Sequence, residues 1–149
     1  MTMQYALTPI HDQNSLEKLR QFLHAHKLPA SDITLERGLF VGYYEQDGKL
    51  IGSGGLEVYG EIALLRSIAV DEKLRSQMIG KRIVEDLLTR ARNLKIKAIY
   101  LLTETARDYF LKKGFVDVAR EKAPEAIKLS TEFSQVCPAS AVVMELVIG

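Results

Sequence analysis

A short apolar segment in the middle of the chain leads directly into a charged turn and then into an amphipathic helix. The segment reads Ile62-Ala63-Leu64-Leu65-Arg66-Ser67-Ile68-Ala69-Val70, and the turn and helix start occupy residues 71–81. The first turn of a helix has backbone N–H groups without intrahelical partners, and it is the positive end of the helix dipole. A strand that ends at such a helix start can hold an anion such as a phosphate. The alternative is an ordinary buried strand joined to an ordinary amphipathic helix.

Arg66 is the one charged residue within this apolar segment. An unpaired guanidinium among apolar side chains would be costly, so the sequence predicts that Arg66 has an anionic partner. One hypothesis is that Arg66 lines a cleft and binds a substrate carboxylate with two parallel hydrogen bonds. The other is that it pairs with Glu57 or another strand carboxylate.

Length and composition set the class of protein. The 149 residues indicate one domain over 1–149, with 47% hydrophobic and 26% charged residues, as in globular proteins. The net charge of +1 provides no general attraction for nucleic acid or for a membrane surface. No signal peptide or membrane-spanning segment is visible, and a single cysteine excludes an internal disulfide. We therefore expect a cytoplasmic protein, and the spacing of His24 and His26 predicts no metal site.

The hydrophobic patterns predict alternating strands and helices in one mixed α/β sheet. Strands are expected at 4–7, 39–45, 50–57, 62–70, 98–103, 115–119 and 141–148. Four helices are expected. The first begins at Asp12 or Asn14, and the second runs from the 71–81 turn to about Asn93. The third lies between Thr103 or Thr105 and Gly114, and the fourth extends from Pro124 to about Phe133. An Asp-Gly pair at 47–48 predicts a hairpin, and the glycines of the 50–57 strand indicate a bulge or close backbone approach.

Two segments resemble the GNAT superfamily of N-acetyltransferases. Arg75-Ser76-Gln77-Met78-Ile79-Gly80 is similar to the family's Arg/Gln-x-x-Gly-x-Gly/Ala motif at a helix start, with Met78 in place of a glycine. Residues 103–115 are similar to its Asn/Thr-x-x-Ala-x-x-Leu-Tyr-x-x-x-Gly-Phe segment. The resemblance implies a strongly twisted, mixed sheet with helices on both faces, in which the 62–70 strand separates from its neighbour near its end.

The resemblance also implies a site for acetyl-CoA as co-substrate. The pantetheine arm would pair with the backbone of Ile68 and Val70, and the Ile68 N–H would polarise the thioester carbonyl. The pyrophosphate would lie on backbone amides of the helix start, with Arg75 adding charge and Ser76 a hydroxyl donor. The implied binding residues are Ile68, Ala69, Val70, Arg75, Ser76, Gln77, Met78, Ile79, Gly80 and Lys81.

The catalytic groups follow from the same resemblance. The family's proton-donating tyrosine aligns with Phe110, while Tyr109 lies about 100° around the helix from that position. Either Tyr109 reaches the sulfur from a shifted helix, or water protonates the thiolate. Glu57 is the preferred candidate general base and Glu61 the second, although either could be a solvated carboxylate.

Most of the C-terminal two thirds is similar to the small acetyltransferases associated with arsenic-resistance operons, and it is also similar to the acetyltransferase domain of N-acetylglutamate synthases. The similarity rests on residues 64–67, 100–103, 124–127 and 132–141, and it implies a small, anionic, amino-acid-like acceptor, with no protein or nucleic acid as substrate. Two alternatives stay open, namely a non-catalytic sensor that binds CoA or a small acid, and an arsenic-binding protein that uses Cys137. The apolar C-terminal strand could also pair across a homodimer.

Overall fold

A computed structural model of the chain describes residues 6–131, 133 and 140–149, without the side chains of Ala6 and residues 75–77. Seven strands lie in this part of the chain: β1 Ala6–Ile10, β2 Gly38–Tyr44, β3 Leu50–Tyr59, β4 Ile62–Val70, β5 Ala98–Thr103, β6 Val116–Val118 and β7 Val142–Val147. The α-helices are α1 Gln13–Ala25, α2 Ile79–Asn93, α3 Arg107–Lys112 and α4 Glu125–Lys128. Short 3₁₀ helices occupy Glu72–Gln77 and Arg120–Lys122.

Local signals account for most of these boundaries. Asp12 caps α1, since its Oδ1 accepts a hydrogen bond from the Ser15 N–H at 2.7 Å. Gly48 adopts φ +90° in the hairpin between β2 and β3, and Gly114 adopts φ +101° just after α3. Both are left-handed conformations that glycine accepts without steric cost. The predicted hairpin and the predicted end of α3 are confirmed.

Two predicted boundaries are wrong. β1 continues through Pro9 to Ile10, where the sequence predicted an end before the proline. Strand β1 is at an edge of the sheet and pairs only with β2, so the missing N–H of Pro9 leaves no neighbouring strand without a donor. The helix predicted from Pro124 to about Phe133 ends much earlier, because α4 stops at Lys128 and Leu129 caps it.

The strand order is β1-β2-β3-β4-β5-β7-β6, with β4 and β5 parallel and the other neighbouring pairs antiparallel. Helix α1 packs on one face of the sheet around Leu16, Leu19 and Phe40, and α4 lies on the same face with Ile127 beside Leu64 and Tyr100. Helices α2 and α3 cover the other face. The predicted mixed sheet with helices on both faces is therefore confirmed.

Strand β7 lies inside the sheet, between β5 and β6. Its backbone from Val143 to Glu145 is paired on both sides, so these residues offer no free edge to a second chain. The sheet edges in the described part of the chain are β1 and β6. A homodimer stays a prediction, but this stretch of β7 is not its pairing edge. No helix within the described residues is long and apolar enough to cross a membrane.

Glycines on β3 bring α2 close to the sheet. A Cβ atom at Gly54 would lie 2.5 Å from Ile83 Cγ2 and 2.7 Å from Leu87 Cδ1. Any larger residue at this position would push the helix away from β3. A Cβ atom at Gly52 would lie 2.9 Å from Ile83 Cδ1 and 3.2 Å from Ile79 Cγ2, so the close approach extends to the first turn of α2.

Candidate active site

Strands β4 and β5 separate partway along their length. They pair only from Ile62–Ala98 to Leu64–Tyr100, and β4 continues to Val70 without β5 as a partner. Strand β5 instead keeps its pairing with β7 through to Thr103. The separation opens a gap in the sheet from Leu65 onward, as the family resemblance implied.

A β-bulge on β4 lies beside this gap. Ser53 pairs with Ala69 and Gly55 pairs with Arg66, so Gly54 alone faces both Ser67 and Ile68. A bulge of this kind interrupts the hydrogen-bond ladder and redirects the backbone locally. The sequence predicted a bulge or a close backbone approach at the β3 glycines. The close approach occurs at Gly54, and the extra residue of the bulge lies opposite it on β4, where Ile68 lines the cavity.

The bulge places Ser67 in a left-handed conformation with φ +60°, which is uncommon for a residue other than glycine. Its carbonyl oxygen accepts a hydrogen bond from Ser53 Oγ at 2.8 Å. Its Oγ accepts one from Arg66 Nε at 3.1 Å. These buried contacts hold the strained residue in place.

Two cavities meet at the bulge. The first has a volume of about 530 Å³, and its lining includes Lys27, Leu28 and Pro29 from the α1 side together with Gly80, Val84, Tyr109 and Phe110 from the α2 and α3 side. Since it has walls on both faces of the sheet, it passes through the gap between β4 and β5. The second has a volume of about 620 Å³ and is lined by Ile68, Ala69, Val70, Met78, Gly80 and Lys81 among others.

Leu28, Ile68, Gly80, Thr105 and Tyr109 line both cavities, so they mark the junction. One end of an elongated ligand in the second cavity would therefore lie next to a smaller molecule bound in the first cavity. This arrangement suits transfer of a group from a long donor to a small acceptor.

The start of α2 forms one end of the second cavity. The first intrahelical bond here runs from the Arg82 N–H to the Met78 carbonyl, which leaves the N–H groups of Ile79, Gly80 and Lys81 without an intrahelical acceptor. Met78 is the N-cap residue and has no side-chain oxygen with which to satisfy them. The predicted strand–turn–helix is present, and the phosphate site expected at this turn stays a prediction.

Met78 adopts a left-handed conformation with φ +62° and ψ +21° between the Glu72–Gln77 3₁₀ helix and α2. Its side chain is 56% exposed and lines the second cavity. The residue that replaces the family's glycine thus keeps a backbone conformation that glycine favours. Of Arg75, Ser76 and Gln77, the structure describes only the backbone, which forms the end of the 3₁₀ helix.

Adjacent aromatic residues on α3 have different environments. Phe110 is 7% exposed and packs edge-on against Phe115, with 5.4 Å between ring centroids. Tyr109 is 37% exposed, and Lys113 Nζ lies 5.7 Å from its ring centroid. Partial burial raises the pKa of Tyr109, and the Glu85 carboxylate adds to that increase. Tyr109 is therefore protonated at neutral pH.

Arg66 lies at the centre of a buried ionic cluster. Its side chain has no exposed surface, and it binds both Asp32 and Glu57. Nη2 donates to Asp32 Oδ1 at 2.8 Å, while Nη1 donates to Asp32 Oδ2 and to Glu57 Oε1, the latter at 2.7 Å. The pair with Glu57 was one of the two alternatives for Arg66, and the structure contains it.

The electrostatics of the cluster follow from these contacts. Burial alone would raise the pKa of Asp32, but the hydrogen bonds and charge of Arg66 outweigh burial and lower it. Tyr59 donates a hydrogen bond to Glu57 Oε2 at 3.3 Å. Burial, together with the Glu57 carboxylate, raises the pKa of Tyr59 to about 12. Because its pKa is lowered, Asp32 carries a full negative charge at neutral pH.

The candidate residues from the sequence are distributed unequally around the site. Ile68, Ala69, Val70, Met78, Gly80 and Lys81 line the second cavity, Tyr109 lines both, and Arg66 lines the first. Ile79 is 1% exposed and packs in the core, so only its backbone is available to a ligand. Glu57 contacts Arg66 behind the first cavity, and Glu61 pairs with Lys97 at an exposed turn. Cys137 lies outside the described residues.

Four residues of the site were not singled out from the sequence. Asp32, Lys27, Leu28 and Pro29 lie just after α1, and 34 residues separate Asp32 from Arg66. The only available signal for Asp32 was the need of Arg66 for a carboxylate partner. The spacing of residues along the chain could not indicate which carboxylate it would be.

The separated strands, the bulge and the open helix start together define a GNAT-like α/β fold. The sequence of residues 7–115 matches the acetyltransferase (GNAT) family, and the chain belongs to this family of acetyltransferase enzymes.

Individual relatives agree with this assignment. An amino-acid acetyltransferase from Mycobacterium tuberculosis is 36% identical over 73 residues, which cover 48% of this chain and 41% of the relative. An N-acetylglutamate synthase from Neisseria gonorrhoeae, solved with coenzyme A and N-acetyl-glutamate, superposes with a TM-score of 0.77 and 16% identity over 100% of this chain and 36% of that chain. A GNAT acetyltransferase from Staphylococcus aureus has a TM-score of 0.74 and 18% identity, with 97% of this chain and 100% of that chain covered. The chain thus spans less than half the length of the first two proteins.

Proposed function

We propose that this protein transfers an acetyl group from acetyl-CoA to the amino group of a small, anionic, amino-acid-like acceptor. The observation that carries the proposal is the cavity through the gap between β4 and β5, which meets a second cavity at Ile68, Gly80 and Tyr109. The match of the chain to an amino-acid acetyltransferase supports the acceptor class.

Acetyl-CoA would supply the acetyl group as a thioester, and the amine would take it up with release of CoA as a thiol. The N–H groups of Ile79, Gly80 and Lys81 would bind the pyrophosphate, with Arg75 and Ser76 adding side-chain contacts. The backbone of Ile68 to Val70 would hold the pantetheine arm. The Ile68 N–H would stabilise negative charge on the carbonyl oxygen as the amine attacks.

Tyr109 is the proposed proton donor to the departing sulfur. It lines both cavities, and its hydroxyl is protonated at neutral pH because its pKa is raised. Phe110, which aligns with the family's tyrosine, lies in the core and has no proton to donate. Tyr109, one residue earlier on α3, would therefore protonate the sulfur in place of the family's tyrosine.

Glu57 is the proposed general base. Its Oε1 is bound by Arg66 at 2.7 Å, whereas its Oε2 has only a 3.3 Å hydrogen bond from Tyr59. Oε2 is therefore the oxygen that could accept a proton, through a water molecule beside Arg66. We expect Glu57→Gln to lower kcat/KM at neutral pH about 10²-fold, because the amide cannot accept a proton. Glu104, a carboxylate in the first cavity, provides the matched control, since Glu104→Gln removes a carboxylate from the cavity without removing the proposed base and should lower kcat/KM far less.

Thiol release in the presence of acetyl-CoA and a panel of amino acids tests the proposal directly. Isothermal calorimetry with acetyl-CoA distinguishes the rival function. Binding without thiol release for any amine would indicate a non-catalytic sensor, and no heat at millimolar ligand would remove acetyl-CoA from the proposal altogether.

The similarity to arsenic-resistance acetyltransferases includes residues 132–141, most of which lie outside the described part of the chain. The association with arsenic resistance stays a prediction, and its test is independent of acetyl transfer. If Cys137 binds trivalent arsenic, Cys137→Ser should abolish the affinity for arsenite.

A further inference from the structure

We propose that Lys27 binds the carboxylate of the acceptor and that the acceptor has an uncharged, apolar side chain. This inference rests on the proposed function and narrows its substrate class. Lys27 lines the α1 side of the first cavity, where Leu28 and Pro29 also contribute to the wall.

The end of α1 determines where Lys27 lies. Its N–H donates to the His24 carbonyl and the Leu28 N–H donates to the Leu23 carbonyl, at 3.0 and 2.9 Å. This is a Schellman motif, in which the residue corresponding to Lys27 is usually glycine because its φ is positive. Lys27 has φ +60°, so a lysine occupies a position where its backbone is strained.

A lysine at a helix C-terminus also has a purely structural explanation, because its charge interacts favourably with the helix dipole. The end of α2 provides the comparison. Lys95 has φ +64° and donates to Arg92, while Ile96 donates to Ala91, in the same motif. Lys95 is exposed like Lys27 but lines neither of the two cavities. The two lysines thus have the same local structure, but only Lys27 lines the first cavity.

The charges around the first cavity leave Lys27 as the cation for a ligand. The cations in its described lining are Lys27 and Arg66. The Arg66 side chain has no exposed surface, and four of its five N–H groups already bind Ser67, Asp32 and Glu57, so its charge is balanced by the carboxylates of the protein. Lys27 forms no ion pair with any residue in the described ranges 6–131, 133 and 140–149.

The remaining walls disfavour a second carboxylate on the acceptor. Leu28, Pro29 and Leu102 are apolar, and the polar residues of the described lining other than Lys27 and Arg66 are Ser67, Thr103, Glu104, Thr105 and Tyr109, none of which is a cation. The Arg66 cluster holds one cation and two carboxylates, so it has a net negative charge and repels another anion. Burying a carboxylate without a partner is costly. An amino acid such as leucine or methionine fits these walls, whereas glutamate leaves its side-chain carboxylate unpaired.

The test compares L-leucine, L-glutamate and L-leucinamide as acceptors in the thiol-release assay, with saturating acetyl-CoA. We expect kcat/KM for leucine to exceed that for leucinamide by about tenfold or more, from the loss of one charged hydrogen bond. We expect it to exceed that for glutamate by a similar factor, from the cost of an unpaired side-chain carboxylate. Lys27→Gln should raise the KM for leucine about tenfold and leave the KM for leucinamide within twofold. Lys95→Gln, the matched control, should change neither value.

Each alternative result has a distinct meaning. Equal KM values for leucine in Lys27→Gln and wild type, or a preference for glutamate, would overturn this inference while acetyl transfer stands. Absence of thiol release with every amine would overturn the proposed function and this inference with it. Calorimetric titration of leucine into the CoA complex measures the effect of Lys27→Gln on affinity without turnover.

Discussion

Met78→Gly tests whether the residue at the start of α2 restricts both folding stability and CoA binding. Met78 has φ +62° and ψ +21°, and its side chain lines the second cavity. Glycine adopts this conformation without a steric penalty. The substitution therefore relieves backbone strain at the point where the proposed pyrophosphate site begins.

The magnitude follows from two opposing contributions. A residue other than glycine in the left-handed region costs about 1–2 kcal/mol. Glycine adds about 0.4–1 kcal/mol of conformational entropy to the unfolded chain. The Met78 side chain is 56% exposed, so its removal sacrifices little burial. We expect the free energy of unfolding to rise by about 0.5–1 kcal/mol, which raises Tm by about 2 °C for a chain of this size.

The affinity for CoA should improve as well. Removing the side chain lets a phosphate approach the backbone amides of the helix start more closely, and we expect Kd to fall about fivefold, or about 1 kcal/mol. Calorimetry with CoA and thermal unfolding followed by circular dichroism give the two readouts.

Two control variants separate the contributions. Met78→Ala removes the long side chain but retains the Cβ atom, so it should bind CoA somewhat better than wild type without the gain in stability. Lys95→Gly relieves a similar left-handed strain, at φ +64°, away from both cavities, so it should raise Tm and leave Kd unchanged. A Met78→Gly protein that is no more stable than Met78→Ala, or that binds CoA more weakly than wild type, would refute the reasoning.

The catalytic and ionic residues give further predictions. Tyr109→Phe retains the ring contacts with Phe110 but removes the hydroxyl, so kcat should fall about 10²-fold with the KM for acetyl-CoA within twofold. The activity of the wild type should also decline as pH rises through the raised pKa of Tyr109, because the hydroxyl then loses its proton. A Tyr109→Phe variant with the kcat of the wild type would exclude the hydroxyl as the proton donor. Asp32→Asn should lower the free energy of unfolding at pH 7 by about 3 kcal/mol, because it breaks a buried pair with Arg66. The folded-state pKa of Asp32 is lowered, so this stabilisation is present above pH about 4 and disappears as pH falls through the folded-state pKa. The denaturant curves of the variant and the wild type should therefore converge below that pKa. Curves that stay equally separated down to pH 2 would contradict this assignment.

The sequence predicted the elements that depend on local interactions. Helix α2 ends at Asn93, and β5 covers Ala98–Thr103, as expected. Periodicity and turn residues suffice for such segments because the interactions that define them span only a few positions. Helix α4 is the exception, since the helix predicted from Pro124 ends at Lys128.

The site depends on contacts between distant segments. The apolar segment and helix start at 62–81 determined a strand that leads into an open helix N-terminus, because both features are properties of consecutive residues. Only the tertiary structure decided that Asp32 neutralises Arg66 and that Lys27 reaches the first cavity, since α1 must first pack on the sheet.

The same distinction applies to α3. Its sequence determined a helix with Tyr109 and Phe110 next to each other, about 100° apart around the axis. Packing decided that Phe110 is buried in the core at the wall of the first cavity, whereas Tyr109 is partly exposed and lines both cavities, because the helix can bury only one face against the sheet. The sequence alone therefore determined the family and the strand–turn–helix, and the three-dimensional packing determined which side chains surround the reacting groups.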